Sequence, residues 1–449
     1  MDLLHQDVRH IYKKYLAAAF GSAMIGSIYG LVDMAMVGQY QGPIGTAALA
    51  VVAPIWNIIY SLGLLTGIGG SVLYGTAKGR ASRDGERENE YFTAACIGTA
   101  VLAAVCWAAV VLFDRQLLEL FGASGEILPI ARQYLLPIKF VVPLYMVNQM
   151  LAAFLRNDGA PGLATAAVLA GGAVNVVGDY AFVFLLDMGA MGAGLATALC
   201  AVLTTLVMAV HFFTRQNTLR LVRTGQLGDK LRRIGTTGFS TFFIDVAMGF
   251  LTMLFNRQIM RYLGADALAV YGVIVNISTI VQCCAYSVGQ AAQPIFSINY
   301  GAGNWQRMRQ VLRYALYTVA VFGLAWTAVM WLFPTGLVRI FMAPTPAVLQ
   351  IAPSIMRCYG ISFLLLPLNV FSTYYFQSLM RPRASFWISV ARGAAVSGAL
   401  ICVLPAVFGP AALWLCMPVT ELVVAVAAIG LIRIYTRALT GEPATARQR

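Results

Sequence analysis

Two stretches of this 449-residue chain decide its fold: GTAALAVVAPIWN at residues 45–57 and GADALAVYGVIVN at residues 264–276. They carry small and apolar residues at matching positions, and both end in an asparagine, Asn57 and Asn276. A second pair of segments repeats at nearly the same spacing, with Leu117, Phe121 and Ala123 corresponding to Leu337, Phe341 and Ala343. An offset of about 220 residues that holds across several apolar segments indicates an internal duplication.

The composition predicts that the repeated segments lie in a membrane. Hydrophobic residues make up 59% of the chain and charged residues only 11%, which is outside the range of soluble domains. Apolar windows long enough to cross about 30 Å of hydrocarbon recur along the whole chain. We expect twelve spans, at 15–38, 46–76, 91–113, 133–155, 161–186, 191–213, 236–262, 266–297, 310–333, 351–379, 384–408 and 411–434.

Six spans in each half give the two halves the same orientation in the membrane. We therefore expect an all-α integral membrane protein with 12 transmembrane helices in two parallel-repeat six-helix bundles, at 1–213 and 236–449, joined by a basic linker at 214–235. Such bundles leave a cleft between them. Rocking of one bundle against the other would then expose the cleft to each side of the membrane in turn.

Lysine and arginine residues are distributed unevenly between the two sides of the membrane. Of the 31 basic residues, only four fall in segments on the side opposite the N-terminus: Arg115, Arg132, Arg261 and Arg339. This bias predicts a multi-pass protein of the cytoplasmic membrane with both termini in the cytosol. The same bias explains the net charge of +13 through attraction to anionic lipid, so we expect the lipid bilayer as a partner and no nucleic acid.

Four acidic residues fall well inside predicted spans: Asp33, Asp179, Asp245 and Glu421. A charge at the centre of a bilayer costs about 2.5–3.5 kcal/mol, so each acid either has a function or belongs to a structural ion pair. Candidate basic partners in or near the spans are Lys139, Arg257 and Arg392. For Asp245 and Glu421 the functional and structural interpretations are equally supported.

Depth in the membrane groups the acids of the first half with two neutral polar residues. At a rise of about 1.5 Å per residue, Asp33, Asp179 and Thr197 reach similar heights, and Asn175 shares a helix face with Asp179. We expect Asp33, Asn175, Asp179 and Thr197 to form an ion-coupling cluster. Two close carboxylates at low dielectric resist ionising together, which suits a proton, but the same oxygen atoms would equally suit Na⁺.

Two segments resemble motifs of a known transporter family. YGLVDMAMVG at residues 29–38 resembles the first-helix signature of the multidrug and toxic compound extrusion (MATE) family, and GQAAQPIFSINYGAGN at residues 289–304 looks like the eighth-helix motif of its bacterial members. Asn175 and Asp179 resemble the fifth-helix motif. The resemblance covers the whole chain and implies a V-shaped pair of bundles that exchanges protons or sodium ions for organic cations or drugs.

The resemblance also carries residue roles. It implies a first-lobe ion site at the four clustered residues and places Asp245 near a seventh-helix acid that some members use in second-lobe sodium binding. Asn369, however, stands about where those members carry a tenth-helix carboxylate, which weakens a second-lobe cation site. Asp245, Asn369 and Glu421 therefore remain candidates for a second-lobe polar site. Ala18 stands about where many relatives have a proline, which argues against a proline bend in the first helix.

We expect a monomeric antiporter that exports organic cations and requires no cofactor, with H⁺ as the preferred coupling ion and Na⁺ as the alternative. A flippase for lipid-linked precursors would need several basic residues in its cleft, whereas the internal charges here are mostly acidic. A membrane-embedded enzyme would need a nucleophile with a base or a metal set, and the predicted spans show neither pattern. The three histidines and eight cysteines lack ligand spacing, so no metal site is expected.

Overall fold

The computed structural model describes residues 2–80, 88–342 and 344–438. Ala343 of the repeated segment and the last residues of the predicted second bundle, 439–449, lie outside the described residues. Eleven helices in the described part are long and apolar enough to cross a membrane, and a bent pair makes a twelfth. They are α1 Val8–Gly42, α2 Ile44–Arg80, α3 Glu88–Leu112, α4 Ile127–Lys139 with Val142–Asn157, α5 Pro161–Leu185, α6 Gly189–Phe213, α7 Leu227–Tyr262, α8 Ala265–Ala302, α9 Trp305–Leu332, α10 Pro346–Ser378, α11 Pro382–Phe408 and α12 Pro410–Arg437.

The order of the helices confirms the predicted all-α fold of two six-helix sets. A short helix follows the third span of each set, at Asp114–Leu120 and at Pro334–Phe341, again about 220 residues apart. The division into 1–213, 214–235 and 236–449 stays a prediction in its boundaries. Helix α7 begins at Leu227, inside the predicted linker, because its polar first turns continue the helix beyond the apolar segment.

The breaks between helices occur at glycine and proline residues. Gly42, between α1 and α2, has φ 68° and ψ −156°, and Gly264, before α8, has φ 85°. Residues with a β-carbon rarely adopt such angles, so glycine allows both turns. In α4 the two segments meet at 59°, and Pro143 lies in the first turn of the second segment. Its ring cannot continue the preceding helix, which accounts for the position of the bend.

The first halves of α1 and α7 pack against the opposite bundle. Ile11 and Tyr15 of α1 belong to one apolar cluster with residues of α8, α9, α10 and α12. In the reciprocal arrangement, Ile234 of α7 packs with residues of α2, α3 and α4 of the first bundle. Lys230 of α7 also forms an ion pair with Glu90 at the start of α3. Each bundle thus packs against the first half of a helix that belongs to the other bundle.

The bundles meet most closely on the side of the membrane that carries the N-terminus and the linker, here called the linker side. A β-carbon at Gly238 of α7 would lie 1.9 Å from the carbonyl oxygen of Leu65 in α2. One at Gly301 of α8 would lie 2.1 Å from the carbonyl oxygen of Thr76. Glycine at these positions lets the backbones of the two bundles come into direct contact.

Candidate functional site

The structure brings the four predicted residues of the first bundle together. Thr197 donates a hydrogen bond of 2.8 Å from Oγ1 to Asp33 Oδ2, and Asn175 Nδ2 donates to Thr197 Oγ1 at 3.3 Å. The carboxyl group of Asp179 lies close enough to that of Asp33 for the two to interact directly. All four residues are buried, with Asp179 and Asn175 at 0% exposure. The predicted cluster therefore exists as a geometric unit that joins α1, α5 and α6.

Tyr134 is a fifth member of the cluster. Its hydroxyl donates to Asp33 Oδ2 at 2.9 Å, from the first segment of α4. No sequence pattern indicates this role, because a tyrosine in an apolar span is ordinarily a packing residue. A buried tyrosine hydroxyl needs a partner, but its partner becomes visible only once the helices are assembled.

Several oxygen atoms in the first-bundle cluster have no hydrogen-bond partner. Asp33 Oδ1, Asn175 Oδ1 and both carboxylate oxygens of Asp179 are buried and unpaired. Burying acceptor oxygens without a donor costs free energy, so these atoms are candidates to bind a proton or a cation. Four acceptor oxygens fit either a shared proton or a hard monovalent cation. The residues of the cluster are therefore compatible with either a proton or a sodium ion.

A local change in helix geometry accompanies Asp179. The residues after it, Tyr180–Leu185, form a π-helical turn. Helix α11 contains a second π-turn, Ala391–Ala395, which includes the buried Arg392. Single π-turns inside α-helices are frequent at functional sites because they redirect side chains. In each bundle, a π-turn therefore lies next to a buried charge.

The second-bundle candidates separate into two groups. Arg392 Nε donates to Glu421 Oε1 at 2.8 Å, and Asn369 Nδ2 donates to Glu421 Oε2 at 2.6 Å. Glu421 is thus held in a buried ion pair, which agrees with the structural interpretation of this acid. Of the other candidate partners, Lys139 in α4 pairs at 2.7 Å with Asp114 of the short helix that follows α3, and Arg257 is exposed on α7.

Asp245 lies apart from that ion pair and is connected to it through two side chains. The Tyr286 hydroxyl donates to Asp245 Oδ1 at 2.5 Å, and Gln282 Nε2 donates to the Tyr286 hydroxyl at 2.8 Å. Gln282 Oε1 in turn accepts a hydrogen bond of 3.4 Å from Arg392. Ser61 of the first bundle donates to Asp245 Oδ2 at 3.2 Å, so this acid also lies at the interface between the bundles.

A polar cluster on the linker side was not predicted from the sequence. Asp158, in the turn between α4 and α5, accepts hydrogen bonds from Lys78 Nζ at 2.7 Å and from the Thr218 backbone at 2.9 Å. His211 Nε2 lies 2.8 Å from Asp158 Oδ2, the oxygen that also accepts from the Thr218 backbone. Burial alone would raise the pKa of Asp158, but His211 and Lys78 outweigh it and hold that pKa well below its ordinary value. The cluster fixes the ends of α2 and α6 and the linker to one carboxylate.

No group of three or more histidine, cysteine or acidic side chains that could hold a metal ion occurs in the described part of the chain. The oxygen-rich cluster of the first bundle contains only two carboxylates.

Comparisons with known proteins agree with the arrangement of the helices. The family model MatE matches residues 18–181 and 240–404, one segment in each half. The multidrug export protein MepA of Staphylococcus saprophyticus is 23% identical over 427 residues, covering 94% of this chain and 93% of the relative. MepA of Staphylococcus aureus is 22% identical over 421 residues, covering 93% of this chain and 92% of the relative.

Solved structures of similar proteins show the same fold. An outward-facing structure of a multidrug resistance MATE family transporter has a TM-score of 0.88 at 20% sequence identity and covers 98% of both chains. A crystal structure of a MATE protein in a bent conformation gives the same TM-score and covers 98% of this chain and 97% of its own. The two-bundle architecture is therefore shared over nearly the whole length.

Proposed function

Because the chain belongs to the MATE family of transporters, we propose that it is a proton-coupled antiporter that exports organic cations or drugs by alternating access. The proposal places it in the cytoplasmic membrane as a monomer without a cofactor, with both termini and the linker side facing the cytosol. The names of the MepA relatives, multidrug export proteins, support an amphiphilic drug-like substrate.

One observation carries the proposal of ion coupling: two buried carboxylates, Asp33 and Asp179, lie together, and three of their four oxygens accept no hydrogen bond from a neighbouring donor, nor does the side-chain oxygen of Asn175. A proton bound between these carboxylates removes one negative charge and supplies a donor for an unpaired oxygen. Its loss restores repulsion between the acids. Since Asp33 belongs to α1 and Asp179 to α5, this repulsion alters how the two helices pack.

The proposed coupling sequence follows from these helix contacts. Protonation of the cluster from outside changes the packing of α1, α5 and α6, and the substrate is released outward. Reorientation of the bundles then exposes the cluster to the cytosol, where the proton leaves. In this structure the Tyr134 and Thr197 hydroxyls hold Asp33 in place through hydrogen bonds to its Oδ2.

Two exposed asparagines support a water-filled cleft between the bundles. Asn57 on α2 and Asn276 on α8 occupy equivalent positions of the repeat, and both are exposed. A polar side chain that faces lipid at this depth is costly, whereas one that faces a hydrated cleft is not. Because α2 and α8 pack together on the linker side, these positions favour an opening toward the opposite side.

Sodium remains the alternative coupling ion at the first-bundle cluster, because its oxygen atoms would also suit Na⁺. A second sodium site in the other bundle is less favoured. Its carboxylate Glu421 is already paired with Arg392. Asn369, which donates to Glu421, stands about where a sodium site in this bundle would need a second carboxylate. Asp245 has two hydrogen-bond donors and a place at the bundle interface, which favour contact with a cationic substrate.

Transport by purified protein in liposomes tests the proposal. With a fluorescent organic cation as substrate, we expect movement to be driven by an imposed pH gradient and not by a sodium gradient alone. Asp33→Asn and Asp179→Asn should each abolish coupling, and Glu126→Gln, which changes an exposed carboxylate in the same way, should leave transport unchanged. Drive by sodium alone would overturn proton coupling, and full coupled transport by the Asp33 variant would overturn the site.

Lipid flipping is the second candidate activity, and the charges of the buried residues argue against it. The arginine Arg392 is neutralised by Glu421, while Asp33, Asp179 and Asp245 have no basic partner among the described residues. A pyrophosphate group would therefore meet these three carboxylates and, among the described buried residues, a single arginine without an ion pair, Arg156. Movement of headgroup-labelled lipid in the same vesicles, dependent on the protein, would favour flipping. An intramembrane enzyme is the least supported candidate.

A further inference from the structure

A groove of about 500 Å³ lies on the surface of the second bundle, between α9, α10 and α12. Its volume falls within the range of sites that hold small organic ligands, about 300–1,000 Å³. Apart from Arg433, its lining side chains are all aliphatic, and they include Leu316 and Ala320 of α9, Leu368 of α10 and Ile429 of α12. The groove therefore offers an aliphatic surface with one positive charge.

The groove forms where α10 departs from regular α-helical geometry. Ile361–Leu364 make a 3-10 turn, and Pro367, which has no backbone N–H, lies in the first turn of the helix that follows. A β-carbon at Gly323 of α9 would lie 2.5 Å from the carbonyl oxygen of Leu364, so the two backbones are in contact at this height. The side chain of Leu364 is left 39% exposed and that of Leu324 61% exposed. Because these helices span the membrane, hydrocarbon covers this surface.

The groove extends from the membrane interior toward the linker side. Helices α9 and α12 reach that side at Trp305 and Arg437. At about 1.5 Å per residue, Leu316 lies about 16 Å from Trp305, and Arg433 lies only about 6 Å from Arg437. The aliphatic part is therefore at the depth of acyl chains, and Arg433 is at the depth of the headgroups in the leaflet on the linker side.

Two exposed arginines flank the end of the groove on the linker side. Arg433 of α12 lines the groove itself. Arg313 of α9 shares a helix face with the lining residues Leu316 and Ala320, at positions i, i+3 and i+7, one turn nearer the linker side. The groove thus has a basic residue on each of two helices at the same end.

The three helices that form the groove provide no free negative charge at this end. Helices α9 and α10 contain no aspartate or glutamate. Helix α12 contains one acid, Glu421, which is buried and paired with Arg392. An aliphatic channel with an uncompensated basic end matches an amphiphile that has an anionic headgroup.

We propose that this groove binds one anionic phospholipid from the leaflet on the linker side, with an acyl chain on the aliphatic surface and the phosphate group paired with Arg313 and Arg433. Guanidinium groups suit phosphate oxygens because they donate several hydrogen bonds in a fixed plane. A lipid in this position contacts α9, α10 and α12 together and stabilises their packing. The site is independent of which solute the protein exports, and the lipid is a bound ligand and not a cargo.

Two simpler explanations make different predictions. Any basic residue at the membrane surface attracts anionic lipid, so a general surface effect would respond to loss of any exposed arginine on the linker side. An aliphatic groove would also suit a helix from a second copy of the chain. In that case the bound partner would be protein, and the headgroup of an added lipid would make no difference.

Native mass spectrometry of the purified full chain separates these explanations. The protein is supplied with phosphatidylglycerol or with phosphatidylcholine of identical acyl chains. We expect one phosphatidylglycerol to be retained per chain, at least about tenfold more tightly than phosphatidylcholine. Arg313→Gln and Arg433→Gln should each weaken its retention about fivefold, and the double variant at least about tenfold. Arg232→Gln, at an exposed position on the linker side of α7, should stay within about twofold.

A substitution in the aliphatic part tests the acyl chain separately from the headgroup. Ala320→Phe places a ring in the groove at an exposed position, and we expect it to lower retention of both lipids at least about tenfold. Ala104→Phe makes the same change at an exposed position of α3, the corresponding helix of the first bundle, and should leave retention unchanged. Phosphatidylglycerol should also raise the midpoint of thermal unfolding of the unaltered protein more than that of the double arginine variant.

Several results would overturn the lipid site. Equal retention of the two lipids, or equal weakening by Arg232→Gln, would show a general surface effect. Retention of phosphatidylglycerol that Ala320→Phe leaves unchanged would show that the groove is not occupied by an acyl chain. A two-chain species that Ala320→Phe separates into single chains would make a second copy the occupant, and the lipid site would be wrong.

Discussion

Replacing Arg392 with methionine tests the structural role assigned to the buried ion pair. The change removes the donor to Glu421 Oε1 and leaves a carboxylate at 0% exposure without its counter-charge. Loss of one member of a buried pair typically costs about 3–5 kcal/mol. Asn369 still donates to the other carboxylate oxygen at 2.6 Å, a bond worth about 1.5 kcal/mol, so we expect a loss near the lower end, about 3 kcal/mol.

The double variant Arg392→Met with Glu421→Met provides the matched comparison. It removes both charges and fills the space with apolar side chains of similar length. Such replacements are often neutral, so we expect a stability within about 1 kcal/mol of the unaltered protein, with proton-coupled transport retained. Thermal and denaturant unfolding of the purified variants in one detergent measures the differences. A double variant that loses as much as the two single variants combined would refute the compensating pair, and loss of coupling in a stable double variant would refute its purely structural role.

Three further predictions concern other parts of the molecule. Tyr134→Phe removes one donor to Asp33, and we expect a stability loss of about 1 kcal/mol and slower pH-driven dye transport than in the unaltered protein, measured in liposomes; an unchanged rate would contradict a role for the hydroxyl. Gly238→Ala places a β-carbon against backbone and should separate the bundles on the linker side, detected as greater labelling of single cysteines there, whereas Gly249→Ala on the same helix has no neighbour within 4 Å and serves as control. Asp158→Asn should cost about 2 kcal/mol at neutral pH. Because the pKa of Asp158 is lowered in the folded state, its contribution is complete above the unfolded-state pKa near 4 and is lost as the pH falls below it, so the two unfolding curves should converge in acid.

The number and order of the helices could be predicted because each span is a long apolar window and the two halves repeat. The bend in α4 could not, since an apolar window does not show where a helix stops and restarts. The exchange of the first halves of α1 and α7 was also not visible. Apolar residues such as Ile11 and Ile234 pack equally well on either bundle, and only the assembled chain decides between them.

Those members of the candidate site could be predicted whose contact follows from a shared depth in the membrane. Asp33 and Asp179 were grouped because charges in a membrane are rare and their heights could be calculated. Tyr134 and Asp158 were missed for opposite reasons. A tyrosine is common among the apolar residues of a span. An acidic residue in a predicted loop carries no free-energy cost of burial, so nothing in the sequence distinguishes it from other loop acids. The partner of Glu421 could be named only as one of several basic residues until the helices were in place.

The reciprocal packing of α1 and α7 has a consequence for how the chain is assembled. Each half, made alone, lacks the helix segment of the other half that packs against it, and so presents an uncovered apolar surface to lipid or to a second molecule. A chain cut within residues 214–226 would therefore be expected to yield two polypeptides that become stable only on meeting. An ancestor with one such half would have covered the same surfaces as a dimer in which each copy packs the first half of its first helix against the other copy. Fusion of the two copies into one chain would have fixed this packing.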